Sequence, residues 1–265
     1  MSLLGVVRAL LRKRPRQAAQ RATPQDFMRT AGAPVAPQPE RENPLAAYFA
    51  SHTEGHGIWK WQHYFDVYHR HLAKFIGCDA HVVEIGVYSG GSLDMWRQYF
   101  GPRCRITGVD IQEACRAYAG EGISIVIGDQ GNRSFWSDFR RTTPPPDVVI
   151  DDGGHTPEQQ RVTLEETLPY LRPGGVYICE DIHGAGNEFS AYVHALADGL
   201  NEFNPAPRRP ADGGAAVTAG VLQQAIRSIH FYPFVIAIEK ADERVDGFVA
   251  PKHGTHWEPF LSGEP

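Results

Sequence analysis

Cysteine is scarce in this sequence of 265 residues. The four cysteines are Cys78, Cys104, Cys115 and Cys179, and no two of them form a Cys-x-x-Cys pair. Their spacing argues against a zinc knuckle or a disulfide framework and favours reduced thiols in a cytoplasmic protein. Long apolar runs are also missing. The opening MSLLGVVRALLRKRPRQ is too short to span a bilayer, and its charges follow the apolar run, which is the wrong order for a secretory signal.

Positive charge is concentrated in residues 1–41, which carry a net charge of +6, whereas the whole chain carries −5 and the remainder therefore −11. An acidic body argues against nucleic acid as a partner. Six prolines within 15–44 predict a disordered basic tail over residues 1–44. The alternative is a short amphipathic helix in weak contact with an anionic membrane surface, at the inner face of the membrane.

Apolar residues recur at helical spacing in 58–76 (IWKWQHYFDVYHRHLAKFI), which predicts one helix within a helical cap over residues 45–80. From residue 81, five short β-rich runs alternate with helical stretches. This order predicts right-handed crossovers and a doubly wound, mainly parallel sheet in a three-layer α/β/α, Rossmann-like fold.

Two apolar β runs separated only by Pro233 end the predicted domain, which spans 81–240. A connection this short predicts an antiparallel hairpin. Residues 182–227 form a predicted lid or substrate insertion, with a helix at 188–203, a loop and a second helix. Residues 241–265 are the predicted C-terminal tail.

A glycine-rich turn, EIGVYSGGS, follows the first strand and opens a helix, where a doubly wound sheet binds a nucleotide-like cofactor. Its glycines at 86, 90 and 91 lack the Gly-x-Gly-x-x-Gly spacing, which argues against NAD and FAD. Asp110 ends the second strand, where a carboxylate can bind ribose hydroxyls, and GDQ (128–130) ends the third. The alternative for the turn alone is a tight strand-to-helix connection.

Four acids lie at the ends of the fourth and fifth strands: Asp151, Asp152, Glu180 and Asp181. The two strands belong to one β-α-β unit and can lie about 4.8 Å apart, so the carboxylates are expected to converge. Such a concentration of negative charge is costly without a cation, and oxygen ligands with room for water favour Mg²⁺. The alternative is a solvated acidic rim.

His155 precedes a predicted helix start with Thr156 as N-cap, Pro157 at the first helical position and Gln159 three residues after the cap. The positive end of the helix dipole disfavours imidazolium, and a neutral imidazole suits a general base. The alternative is a histidine bonded to a backbone carbonyl. Five histidines within 52–71 lack cysteine or acid partners at zinc-ligand spacing, which argues against a zinc site formed within this segment.

Together, EIGVYSGGSLDMWRQYF, GVDI, GDQ, VVIDDGGH and LRPGGVYICEDIH resemble the class I S-adenosylmethionine-dependent methyltransferases. Among these they are similar to the metal-dependent macrocin, mycinamicin and tetracenomycin-rhamnose sugar O-methyltransferases, with cephalosporin hydroxylase-like proteins as relatives. The resemblance covers residues 50–185. The stretch before the first strand departs from the expected Asp-Lys-Gly pattern, so no contact is assigned to Lys60 or His56.

The resemblance implies Mg²⁺ ligands at Asp152, Glu180 and Asp181, a base at His155, and a homo-oligomer. The expected cofactor contacts are Glu84, Gly86, Ser89, Gly90, Ser92, Asp110, Asp129 and Gln130. The predicted function is Mg²⁺-dependent methylation of a hydroxyl on a sugar, a glycan or a glycosylated small molecule. His183 is predicted either to orient the substrate or to support a carboxylate. The alternatives are a catechol or vicinal-diol O-methyltransferase and a non-catalytic cofactor-binding scaffold.

Overall fold

The computed structural model describes residues 43–208, 210–211 and 214–254. The predicted basic tail, as a disordered segment or a membrane-surface helix, lies outside the described residues except for its last two positions. No helix within the described ranges is long and apolar enough to cross a membrane.

Seven helices and nine strands make up the regular structure of the described residues. The helices are α1 (Pro44–Ser51), α2 (Tyr64–Leu72), α3 (Gly91–Phe100), α4 (Arg133–Thr142), α5 (Pro157–Thr167), α6 (Glu188–Gly199) and α7 (Val221–Ala225), with 3₁₀ turns at Ala73–Phe75 and Glu113–Tyr118. The strands are β1 (His81–Ile85), β2 (Arg105–Asp110), β3 (Ile123–Ile127), β4 (Val148–Asp151), β5 (Val176–Cys179), β6 (Ala215–Thr218), β7 (Ile226–Tyr232), β8 (Val235–Lys240) and β9 (Gly247–Ala250).

The main sheet has seven strands in the order β3-β2-β1-β4-β5-β8-β7, which confirms the predicted doubly wound fold. The first five strands pair in parallel, whereas β8 pairs antiparallel with both β5 and β7. Strand order reverses between β1 and β4, so the crevice at their carboxyl ends is the expected ligand site. The hairpin predicted around Pro233 is therefore present and closes one edge of this sheet.

Two apolar layers bury the two faces of the sheet. Helices α1 to α3 cover one face, with Trp96 and Tyr68 fully buried, and α4 to α7 cover the other, with Trp136 and Phe189 buried. Strands β1, β4 and β5 are buried at every position, as expected for parallel strands with helices on both sides. This packing fixes the strand ends on which the site is built.

Two helix boundaries and one strand pairing differ from the sequence-based expectation. The helix expected over 58–76 begins only at Tyr64, because the preceding segment carries Lys60 into the sheet edge, where it binds three carboxylates. The helix expected over 188–203 ends at Gly199. Strand β6, from the predicted insertion, pairs with β9, which lies in the predicted tail. Both strands of this small sheet are largely exposed, so their sequences show no alternation between buried and exposed positions.

Candidate active site

A cavity of about 830 Å³ opens at the carboxyl edge of the parallel strands. This volume lies within the roughly 300–1,000 Å³ typical of small-molecule and cofactor sites. One end of the cavity lies over the first glycine turn and Asp110, and the other contains the acids that follow β4 and β5. The site therefore has room for a cofactor and an acceptor side by side.

Gly86 makes the close approach at the first strand end possible. Its φ is +91°, and a Cβ at this position would lie 1.9 Å from the backbone oxygen of Asp152. Only glycine satisfies both the conformation and the contact. Asp110 holds the same turn, since its Oδ2 accepts hydrogen bonds from the backbone amides of Val87 and Tyr88 at 2.9 and 3.2 Å.

Four of the expected cofactor residues line the cavity, namely Gly86, Asp110, Asp129 and Gln130, whereas Ser89 and Gly90 belong to the turn behind it. Glu84 and Ser92 are buried and bond each other, with Ser92 Oγ donating to Glu84 Oε2 at 2.8 Å. Burial raises the pKa of Glu84, and Lys60 and the hydrogen bond from Trp96 counter this effect. These two residues support the turn from within. Their role in cofactor binding stays a prediction.

Asp151 and Asp152 point in opposite directions because successive side chains alternate at a strand end. Asp151 is buried, where it accepts hydrogen bonds from Gln130 Nε2 at 2.8 Å and from the Tyr177 hydroxyl at 3.0 Å. Burial raises the pKa of Asp151 to about 7. The expected convergence of four acids is therefore wrong for Asp151, which anchors the sheet edge instead.

Lys60 occupies the centre of the acidic group. Its side chain is 3% exposed, and its Nζ lies 2.5 Å from Asp152 Oδ2, 3.0 Å from Glu180 Oε2 and 3.7 Å from Glu84 Oε1. Burial alone would lower the pKa of Lys60, but the three carboxylates outweigh it and raise that pKa. Burial and Asp152 raise the pKa of Glu180, whereas Lys60 lowers it. Lys60 is therefore a buried cation that neutralises part of the negative charge for which the sequence predicted a metal ion.

Asp152, His155 and Asp181 together offer three ligand atoms within 4.8 Å of one another. One carboxylate oxygen of each aspartate is already hydrogen-bonded. Asp152 Oδ2 accepts from Lys60, and Asp181 Oδ1 accepts from the Tyr64 hydroxyl at 2.6 Å. The other oxygens lie 3.8 and 3.7 Å from His155 Nε2. Two open carboxylate oxygens with space between them suit Mg²⁺, which binds few protein ligands and keeps several waters.

His155 sits before α5, where Thr156 and Gln159 form the predicted capping box. The four non-glycine residues with positive φ among the described residues are Tyr88, His155, Asp181 and Phe234. Tyr88, His155 and Asp181 line the cavity, and Phe234 accepts through its carbonyl a hydrogen bond from the amide of Ile182 beside it. Such strained conformations concentrate at functional sites.

Comparison with known proteins agrees with this geometry. A family model described as a methyltransferase domain matches residues 83–182. Residues 83–182 therefore form a methyltransferase domain. The domain extends from β1 to just beyond β5, which includes the first glycine turn and all the acids described above.

Several proteins similar to this chain are O-methyltransferases by name. Demethylmacrocin O-methyltransferase of Streptomyces fradiae is 30% identical over 69% of this chain and 50% of its own length. Mycinamicin VI 2''-O-methyltransferase of Micromonospora griseorubida is 36% identical over 65% of this chain and 47% of its own length. The chain therefore spans about half the length of the curated relatives it matches.

A solved structure of MycE, the methyltransferase of the mycinamycin biosynthetic pathway, was determined in complex with Mg and SAH. It matches 76% of this chain and 55% of its own chain, with 27% identity and a TM-score of 0.60. A second MycE structure, with a TM-score of 0.59, also contains mycinamycin VI. These matches confirm the Rossmann-like fold of the methyltransferase domain.

An aromatic wall, defined here as Trp61, His63, His183 and Phe234, borders the acidic end of the cavity. Phe234 is its centre, with ring centroids 5.6 Å from Trp61, 6.1 Å from His63 and 4.9 Å from His183. Trp61 is 51% exposed and Phe234 38%. Segments on either side of the methyltransferase domain thus present exposed rings at the acidic end of the cavity.

Sequence reasoning assigned no contact to Lys60, favoured core packing for Tyr64 and did not identify Phe234. Lys60 and Tyr64 come from the segment before β1, and Phe234 from the tight turn between β7 and β8, far along the chain from the acids. The sequence offered two signals for an active-site role. Phe234 is an apolar residue in a turn, and Lys60 is a lysine within an aromatic stretch. Neither signal identifies its partners before the chain is folded.

Proposed function

We propose that this protein transfers the methyl group of S-adenosylmethionine to a hydroxyl of a sugar or a glycosylated small molecule, with the help of Mg²⁺. The observation that supports this most directly is the cavity with the Gly86 turn and Asp110 at one end and Asp152, His155 and Asp181 at the other. The names of the similar proteins, which include several sugar O-methyltransferases, support the same reaction class.

Asp152 and Asp181 would hold Mg²⁺ through the oxygens that face His155. Glu180 is the third proposed ligand, although both of its oxygens contact Lys60 in this structure. When bound, S-adenosylmethionine supplies an electrophilic sulfonium methyl, and Mg²⁺ acts as a Lewis acid toward the acceptor oxygen. Asp110, at the other end of the cavity, would accept hydrogen bonds from the ribose hydroxyls.

His155 is the proposed general base. Its Nε2 would take the proton of the acceptor hydroxyl as the new oxygen–carbon bond forms and the carbon–sulfur bond breaks, which leaves the neutral thioether product. The side chain is 39% exposed, so the proton can pass on to solvent. Base assistance of this kind typically contributes about 10² to 10⁴ in rate.

The aromatic wall supports an acceptor with an apolar face. A sugar ring presents C–H groups on one side and hydroxyls on its edge, so it can stack on Trp61 and Phe234 while the hydroxyls face Asp181. Aromatic residues beside precisely placed polar groups are typical of small-molecule sites. The ring contact of His183 with Phe234 and the 3.7 Å distance from His183 Nε2 to Asp181 Oδ1 support a role for His183 in orienting the acceptor.

The decisive experiment is transfer of labelled methyl from S-adenosylmethionine to a panel of rhamnosides, other deoxyhexose glycosides and catechols, with Mg²⁺ or with EDTA. Transfer to a glycoside that stops with EDTA supports the proposal, and transfer to catechols alone favours the vicinal-diol alternative. His155→Gln should lose turnover and keep cofactor binding, whereas His194→Gln, at an exposed site on α6, serves as the matched control. Cofactor binding without turnover on any acceptor would leave a scaffold.

A further inference from the structure

A polar column lies on the face of the edge hairpin that packs toward α2. Ser228, His230 and Tyr232 alternate along β7 and share this face, and Glu239 of β8 pairs in register with Ser228. On the same face of β8, Ala237 is fully buried in the apolar layer. Polar side chains thus replace apolar ones where the sheet approaches the C-terminal half of α2.

His71 of α2 completes this group. It is 3% exposed, its Nδ1 lies 2.9 Å from Glu239 Oε1, and its Nε2 lies 2.9 Å from the Tyr232 hydroxyl. The ring of His230 lies 4.6 Å from the ring of His71, centroid to centroid. We name the group of His71, His230 and Glu239 the edge cluster. Each of the three residues offers one ligand atom, and these atoms all lie within 4.8 Å of one another.

We propose that the edge cluster binds a divalent transition-metal ion of the zinc type. Two imidazoles and one carboxylate form a ligand set that zinc accepts, with water in a fourth position. Ligands of a tetrahedral zinc at about 2.0–2.2 Å lie roughly 3.3 Å apart, so the 2.9 Å between His71 Nδ1 and Glu239 Oε1 needs only a small separation. His230 and Glu239 are partly exposed, which leaves water access.

The far nitrogen of each imidazole already has a hydroxyl partner. Nε2 of His71 meets Tyr232, and Nε2 of His230 lies 3.0 Å from Ser228 Oγ. Histidines that bind a metal usually donate from the other ring nitrogen to a carboxylate, a backbone carbonyl or water, which fixes the tautomer and the ring orientation. The hydroxyl oxygens of Tyr232 and Ser228 can accept in the same way. This arrangement leaves the Nδ1 atom of each ring as the ligand and distinguishes the cluster from a simple His–Glu ion pair.

Charge and position limit which ion can bind. Arg70 and Lys74 act electrostatically on His230 and Glu239, and this positive potential opposes any cation. Imidazole ligands favour zinc, cobalt, nickel or copper over Mg²⁺. Glu239 pairs with Val176 at the start of β5, whereas the acids of the active site follow its end. The edge cluster therefore lies toward the opposite end of the strands from the active site and is independent of the proposed reaction.

A metal here would join α2 to the edge hairpin. Both α2 and the edge hairpin also reach the active site. The segment just before α2 carries Lys60, and the turn of the hairpin carries Phe234. The ion would consequently act as a structural staple for the two elements on which the aromatic wall is built. Its removal should lower thermal stability without removing a catalytic group.

The test is titration of Co²⁺ into EDTA-treated, dialysed full-length protein in excess Mg²⁺, followed by visible absorption and by displacement with Zn²⁺. One equivalent should produce the d–d bands of a low-coordinate nitrogen and oxygen site. His230→Ala and Glu239→Gln should abolish these bands, whereas Asp181→Asn and the surface control His194→Ala should keep them. Tyr232→Phe, which removes only the hydroxyl partner, should weaken binding by about 10- to 100-fold.

Unfolding midpoints of the metal-free variants control for misfolding, and His230→Ala, at a half-buried position on the edge strand, remains decisive if Glu239→Gln does not fold. Zn²⁺ should raise the midpoint of the wild type and leave that of His230→Ala unchanged. The proposal is overturned if wild type binds no Co²⁺ in excess Mg²⁺. It is equally overturned if binding disappears in Asp181→Asn and persists in His230→Ala.

Discussion

Replacement of Lys60 by methionine removes the one cation that contacts Asp152, Glu180 and Glu84 among the described residues, while it keeps most of the side-chain volume. Removing one partner of a buried ion pair typically costs about 3–5 kcal/mol, because the remaining charge stays buried and uncompensated. Glu180 and Glu84 are both within 1% of full burial, so neither carboxylate can turn to water. We therefore expect a loss of stability at the upper part of that range.

The measurement is equilibrium unfolding in urea without Mg²⁺. A loss of about 3–5 kcal/mol corresponds to a thermal midpoint roughly 6–20 °C lower for a domain of this size. The matched control is Lys74→Met, an exposed lysine that donates to the Gly174 carbonyl at 3.0 Å and lies over the Phe75 ring, which should change stability by no more than about 1 kcal/mol.

A double-mutant cycle with Glu180→Gln tests the cause. If the cost comes from unpaired charge, Glu180→Gln should recover part of the stability lost in Lys60→Met, with a coupling of about 0.5–3 kcal/mol. A loss of unfolding free energy in Lys60→Met no larger than that in Lys74→Met would contradict the unpaired-charge explanation. Strict additivity of the two changes would also refute it, because it would mean that Lys60 and Glu180 do not interact.

The remaining predictions concern the metal, the acceptor and pH. Asp152→Asn should abolish the saturable heat of Mg²⁺ titrated into cofactor-loaded protein, whereas Asp151→Asn, which faces the opposite way, should retain it; equal heats would remove the ligand assignment. Phe234→Ala should raise the KM for a glycoside acceptor roughly 2- to 12-fold, as expected for loss of about 0.5–1.5 kcal/mol of ring contact, while Phe231→Ala, equally exposed on the other face of the hairpin, should not. Burial lowers the pKa of His81, and the positive charge of Arg105 lowers it further. As the pH falls through about 6.5, the unfolded chain therefore takes up a proton at His81 more readily than the folded chain does. Stability should fall as the pH drops below about 6.5, and His81→Gln should flatten that fall; an unchanged slope in urea unfolding would contradict this.

The sequence by itself determined the sheet, its parallel strands and its cofactor edge. These follow from local patterns: apolar runs alternating with helices, glycine at the first turn, and the capping box at Thr156, all of which the structure confirms. Acids at strand ends were visible for the same reason, since parallel strands finish at one edge. Local chemistry therefore predicted which edge of the sheet carries the site.

Only the tertiary structure decided which side chains share that edge. Asp151 leaves the acidic group because alternation turns it inward, while Lys60 enters the group from a segment predicted to be helical. Phe234 joins the aromatic wall across the hairpin, and His71 meets Glu239 across 168 positions of sequence. Contacts between distant segments depend on how the elements pack, and no local periodicity encodes them.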